Sequence, residues 1–150
     1  MYRRILVPLD GSALSEAVLP HAENLARALN AEIVLLHVDA SPAPAFDPHE
    51  SPLAPKPEEV KIMQADEKHY LKVLCARLEE KGLRITYLLR DGIVAETIME
   101  AADAEQADLI AMTTHGRTGM LRLLLGSVAE QVVHQSRIPV MLIRPYKDPP

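Results

Sequence analysis

Two short segments gather the residues able to hold a small anionic ligand. Asp10, Gly11 and Ser12 follow the first apolar run of the chain; Thr113, Thr114, His115, Gly116, Arg117, Thr118 and Gly119 follow the fourth, with Gly126 and Ser127 a few residues on. Four of the six glycines lie in these segments, where backbone must approach something closely. If Gly126 and Ser127 open a helix, its first N–H groups carry partial positive charge, and the missing side chain at Gly126 leaves room for a phosphate. The stretch Ser127, Val128, Ala129, Glu130 reads equally well as a Ser-x-x-Glu capping box. The two roles are compatible, because a hydroxyl can accept from an N–H and still donate. Neither common phosphate fingerprint is present: no Gly-Lys-Ser/Thr occurs, and Asp-Gly-Ser stands where a dinucleotide site has its glycine triplet.

Each neighbouring residue has a functional and a structural reading. Asp10-Gly11-Ser12 is a turn and helix-cap sequence as well as a loop that can meet a ligand. His115 either shapes the glycine loop or contacts phosphate, and Arg117 and Arg122 either solvate the surface or approach phosphate oxygens. His37, inside an apolar run, reads as a hydrogen-bonded core histidine. Cys75, beside Leu74, reads as a small buried apolar residue. Met99, Met112 and Met120 form no metal-binding run and are expected to pack in the core, with Met112 set apart by its place at the end of the fourth run.

The elements that must position these loops follow from the apolar pattern. Ile5 to Leu9, Ile33 to Val38, Ile85 to Leu89, Leu109 to Thr113 and Val140 to Ile143 are nearly continuous aliphatic runs, as expected of parallel strands buried on both faces. Helical stripes lie between them: Leu14, Val18, Ala22, Leu25 and Leu29; then Leu71, Leu74 and Leu78; then Val94, Ile98 and Ala101; then Val128 and Val132. Pro20 should kink the first helix, since it has no N–H for the carbonyl of Glu16. The alternation predicts an α/β fold: an open, doubly wound, Rossmann-like sheet of five parallel strands with helices on both faces. In such sheets ligands bind beyond the carboxyl ends of the strands, where the strand order reverses. Six of the 12 prolines fall in residues 42–57, so the segment 40–57 is expected to be a mobile surface excursion. Residues 1–146 are expected to form one α/β domain, with 147–150 a polar tail.

Composition narrows the partners. Sixteen Lys and Arg against 21 Asp and Glu give a net charge of −5, so no overall positive field draws nucleic acid or anionic lipid. Aromatic residues make up 3% of the chain, too few for base-stacking platforms. No apolar run approaches the roughly 20 residues that span a bilayer, and the single cysteine permits no intrachain disulfide. A cytoplasmic location, with no nucleic acid and no membrane, is the expectation.

The stretch DLIAMTTHGRTGMLRLLLGSVAEQVV, with the opening ILVPLDGS, LLHV in the second run and IPVMLIRP near the end, resembles the universal stress protein family. Nucleotide-binding members of that family share a motif of Gly, two residues, Gly, nine residues, Gly and Ser or Thr. Gly116, Gly126 and Ser127 match it, while Thr113 replaces the first glycine. The resemblance implies an adenine-nucleotide site. Pro8, Asp10 and Val38 would frame the base and ribose, with Met112 and Thr113 as the floor. His115, Gly116 and Arg117 would stand on one side of the phosphates, and Gly126, Ser127 and Val128 on the other. ATP would bring Mg²⁺ or Mn²⁺ with its phosphates. A β-branched residue does not adopt positive φ cheaply, so Thr113 is expected to weaken binding without abolishing it. The resemblance also implies a homodimer through the last strand and a nucleotide-dependent switch with at most slow hydrolysis. A scaffold of the same fold that binds no nucleotide is the alternative.

Overall fold

The computed structural model describes residues 1–40, 57–115 and 125–145, with side chains from residue 64 onward in the second segment. The proline-rich stretch 41–56, most of the glycine loop at 116–124 and the tail from 146 lie outside the described residues. The chain runs β1 (Arg4–Pro8), α1 (Ala13–Glu16), α2 (Leu19–Leu29), β2 (Glu32–Asp39), α3 (Pro57–Glu80) and β3 (Arg84–Asp91). It continues through α4 (Val94–Ala104), β4 (Leu109–Thr113), α5 (Ser127–Gln135) and β5 (Val140–Ile143). All strand pairs are parallel, in the order β3-β2-β1-β4-β5. The expected α/β, doubly wound, five-stranded sheet is the fold observed.

The two faces of the sheet are covered by different helices, because alternate strand residues point to opposite sides. Ile5, Val7, Ile33 and Leu35 share one cluster with Leu19, Ala22, Leu71 and Leu78 from α2 and α3. Leu6, Val34, Leu36 and Ile110 share the other with Ile98 and Ala102 of α4 and Ala129 and Val132 of α5. Hence the central strands read as unbroken apolar runs. Register places Ile5 beside Ile33 on one side and Leu109 on the other. The chain therefore leaves β1 toward β2 and returns to β4 on the opposite flank, which opens a crevice at the carboxyl ends of β1 and β4.

Pro20 breaks the first helical stripe outright. Ala17 and Val18 donate back three residues to Leu14 and Ser15, and α2 then restarts with Pro20 in its first turn, where an N–H is not required. Asp108 ties the start of β1 to the entry of β4: its carboxylate oxygens accept from the backbone N–H groups of Arg3 and Arg4 at 2.7 and 3.0 Å.

Cys75 of α3 is 7% exposed, and burial, with the Glu79 carboxylate beside it, pushes its thiol up to about 11. At pH 8 the thiolate fraction is then roughly a hundredfold below that of an ordinary thiol. Alkylation by iodoacetamide in native buffer should be slower by at least that factor than in urea. Equal rates in the two conditions would show that α3 does not shield the residue.

Candidate functional site

The crevice at the strand ends is a cavity of about 550 Å³. Pro8 and Asp10 supply its β1 wall, Val38 and Asp39 its β2 wall, and Met112 and Thr113 its β4 wall. Val94 and Ile98 of α4 close one side, Glu67 of α3 another, and the first turn of α5 faces the strand ends through Gly126, Ser127, Val128 and Ala129. Eight residues singled out in the sequence thus meet at one place: Pro8, Asp10, Val38, Met112, Thr113, Gly126, Ser127 and Val128. Gly116 and Arg117, like Arg122, lie outside the described residues. His115 is 8% exposed and does not line the cavity; its Nδ1 lies 3.0 Å from Thr114 Oγ1.

Local sequence explains the β1 wall. The Asp10 carboxylate accepts from the Ser12 N–H at 2.9 Å and from the Ser12 hydroxyl, while Gly11 takes φ +85° to complete the turn. Ser12 then caps α1, its hydroxyl accepting from the Ser15 N–H at 3.2 Å. Turn, cap and cavity wall are therefore one structure.

Thr113 carries no backbone strain. The only non-glycine residues with positive φ among those described are Asn30 and Gln106, and Thr113 pairs normally with Ile143. Its hydroxyl donates to the His115 carbonyl at 2.9 Å and so braces the exit from β4. The conformational penalty anticipated at this position does not arise.

The capping-box reading of Ser127 is corrected by the helix frame. Gly126, at φ −70° and ψ 162°, is the N-cap, and no side chain bonds to the cap; Ser127 is the first helical residue. The role of Gly126 is also sharper than expected. Its own N–H donates to the Thr114 carbonyl at 2.7 Å, and a Cβ on it would sit 2.9 Å from that oxygen. Gly126 is thus needed for close contact between α5 and the β4 exit, while the N–H donors left at the helix start belong to Ser127, Val128 and Ala129.

Sequence reasoning missed Asp39, Glu67, Val94 and Ile98. Val94 and Ile98 belong to the α4 stripe that also packs the core, so their apolar pattern hides the second role. Glu67 had a readable signal: it extends the stripe Leu71, Leu74, Leu78 one turn back, and a carboxylate on a core-facing stripe is an anomaly.

A family model described as the universal stress protein family matches residues 1–144. The chain belongs to the universal stress protein family. Universal stress protein MJ0531 of Methanocaldococcus jannaschii is 35% identical over 96% of this chain and 83% of its own length. The solved structure of MJ0577, a universal stress protein of the same organism, superposes with a TM-score of 0.79 at 28% identity, covering 99% of each chain. A universal stress protein solved in complex with cAMP gives a TM-score of 0.71 at 22% identity, over 97% of this chain and 98% of that one, a likeness of fold. In this universal stress protein no described helix is long and apolar enough to cross a membrane.

Proposed function

We propose that this universal stress protein binds ATP, carried with Mg²⁺ or Mn²⁺, in the cavity between the loops after β1 and β4, and acts as a nucleotide-dependent switch or sensor in the cytoplasm. One observation carries the reading. The first turn of α5, with no side-chain cap, lines the same cavity as the apolar wall of Pro8, Val38 and Met112. The three N–H groups at the helix start suit phosphate oxygens, and the apolar wall suits a flat base. Asp10, Asp39 and Glu67 stand elsewhere on the wall, which disfavours phosphate there and orients the ligand. A protein of the same fold holds cAMP, which is the reason for placing an adenine nucleotide first. Among the described residues no group of three or more His, Cys, Asp or Glu could cage a metal, so the cation is proposed to arrive on the phosphates and neutralise them.

The reading is of a binding module, with hydrolysis at most slow; the ring of His115, the base candidate in the sequence, is not on the cavity wall. Among the described residues β5 ends the sheet with one backbone edge open, and two copies are proposed to pair there as a two-fold dimer. Titration calorimetry with MgATP should show saturable binding in the micromolar range, on the order of −8 kcal/mol. No heat at millimolar ATP, together with no nucleotide released on denaturing the purified protein, would overturn the reading and leave the scaffold alternative.

A further inference from the structure

His37 sits near the end of β2, 7% exposed, with both ring nitrogens engaged. Nδ1 lies 2.9 Å from the carbonyl oxygen of Leu9, just past β1. Nε2 lies 3.1 Å from Oε1 of Glu67 on α3. A carbonyl only accepts, so Nδ1 must carry a proton and donate. A neutral imidazole has then spent its one N–H, and Nε2 would turn a lone pair toward a carboxylate oxygen. The second contact closes only when one further proton lies between Nε2 and Oε1, whichever atom holds it. His37 and Glu67 both line the cavity, so this proton is held in the cavity wall and joins three elements: the β1 exit, β2 and α3.

We propose that the His37–Glu67 contact is a proton-carrying latch on the cavity wall, and that its protonation is linked to nucleotide binding. The inference rests on the nucleotide reading above and adds regulation of that same site. Asp10 after β1 and Asp39 on β2 itself line the same cavity, and Glu16 of α1 lies with Asp10 near the Tyr70 phenol, one turn along α3 from Glu67, where Arg77 of α3 pairs with Glu16 at 3.7 Å. From β3 the register neighbour of His37 is the uncharged Leu89. Among the described cavity-lining residues His37 is the one able to become a cation. With the proton present, on either atom, the His37–Glu67 pair carries one unit less negative charge in a site that must also accept phosphate, and α3 is held against the strand ends. With the proton gone, Nε2 and Oε1 repel and the Glu67 side of the wall is released. Because linkage is reciprocal, a ligand that favours the closed wall draws a proton in, and loss of the proton weakens the ligand.

The test compares wild type with Glu67→Gln and Glu67→Ala by calorimetry with ATP at about pH 6 and about pH 8.5, on either side of the range in which histidine changes charge. Ionisation of ATP itself affects all three proteins alike. Wild-type affinity should fall by about tenfold more than that of Glu67→Gln, whose amide N–H can donate to a neutral Nε2 and keep the latch closed at both pH values. Glu67→Ala, with no latch, should bind weakly at both. Equal pH dependence in wild type and Glu67→Gln would overturn the latch while leaving the nucleotide reading standing. Absence of ATP binding in every variant at either pH would overturn the nucleotide reading and the linkage with it. The ligand-free protein gives a separate check: ¹⁵N spectra at about pH 6 should show His37 Nε2 either protonated or accepting a hydrogen bond from Glu67, and an Nε2 signal identical in wild type and Glu67→Ala would overturn the latch without any ligand.

Discussion

Replacing Gly126 by valine is expected to destabilise the protein by about 3 kcal/mol and to weaken nucleotide binding in parallel. The Cβ of any other residue would lie 2.9 Å from the Thr114 carbonyl oxygen, a backbone atom held by the hydrogen bond it accepts from Gly126 itself. That oxygen cannot swing aside as a side chain can, so either the β4 exit or the first turn of α5 must move. Gly126→Ala should already cost about 1–2 kcal/mol, although a φ of −70° suits alanine well. Gly82 provides the control: its φ of +81° strains any side chain, but nothing lies within 4 Å of the added Cβ. Gly82→Ala should therefore lower stability by about 1 kcal/mol through conformation alone and leave affinity unchanged. Urea unfolding and ATP titration on the same samples separate these effects. A Gly126→Ala protein as stable as wild type would mean that the close approach of α5 to the β4 exit is absent.

Much of this arrangement was legible in the sequence, for definite physical reasons. β1, β2 and β4 are covered by helices on both faces, so their residues are nearly all aliphatic, and the runs locate the strands to within a residue. β3 is an edge strand whose ends carry Arg84, Arg90 and Asp91 into solvent, and its apolar run, Ile85 to Leu89, stops short of both ends. α3 reaches back to Pro57 because helical geometry continues where the leucine stripe has given way to Glu67 and Tyr70. Pro20 marks a break between two helices and not a bend within one, since the first-turn position it occupies tolerates a missing donor. The site's loops were legible because glycine and turn residues cluster at strand ends. Their helical partners were not: Glu67 stands some 30 residues from the His37 it meets, and only the fold brings them together. The Ser-x-x-Glu pattern misled because it fixes a spacing and not a frame. Gly126, bonded to Thr114, took the cap position one residue earlier.

Ser127→Asp is expected to move stability and affinity in opposite directions. Ser127 is exposed, lies in the first helical position of α5 and makes no cap, so its hydroxyl carries little of the helix's stability. A carboxylate there meets the positive end of the helix dipole and should stabilise the fold by about 0.3–1 kcal/mol. Phosphate, however, is proposed to occupy the same end. Two unit charges of like sign about 4 Å apart near a protein surface repel by about 4 kcal/mol, which is roughly a thousandfold in affinity. Ser127→Ala, which removes a hydroxyl without adding charge, should change stability by less than about 0.5 kcal/mol and affinity by about tenfold at most. The pair of variants isolates the charge at the start of α5 from its packing, a separation that Gly126 cannot provide because it serves both. Should Ser127→Asp bind ATP as tightly as wild type, phosphate does not lie at the first turn of α5, and the nucleotide reading loses the observation that carries it.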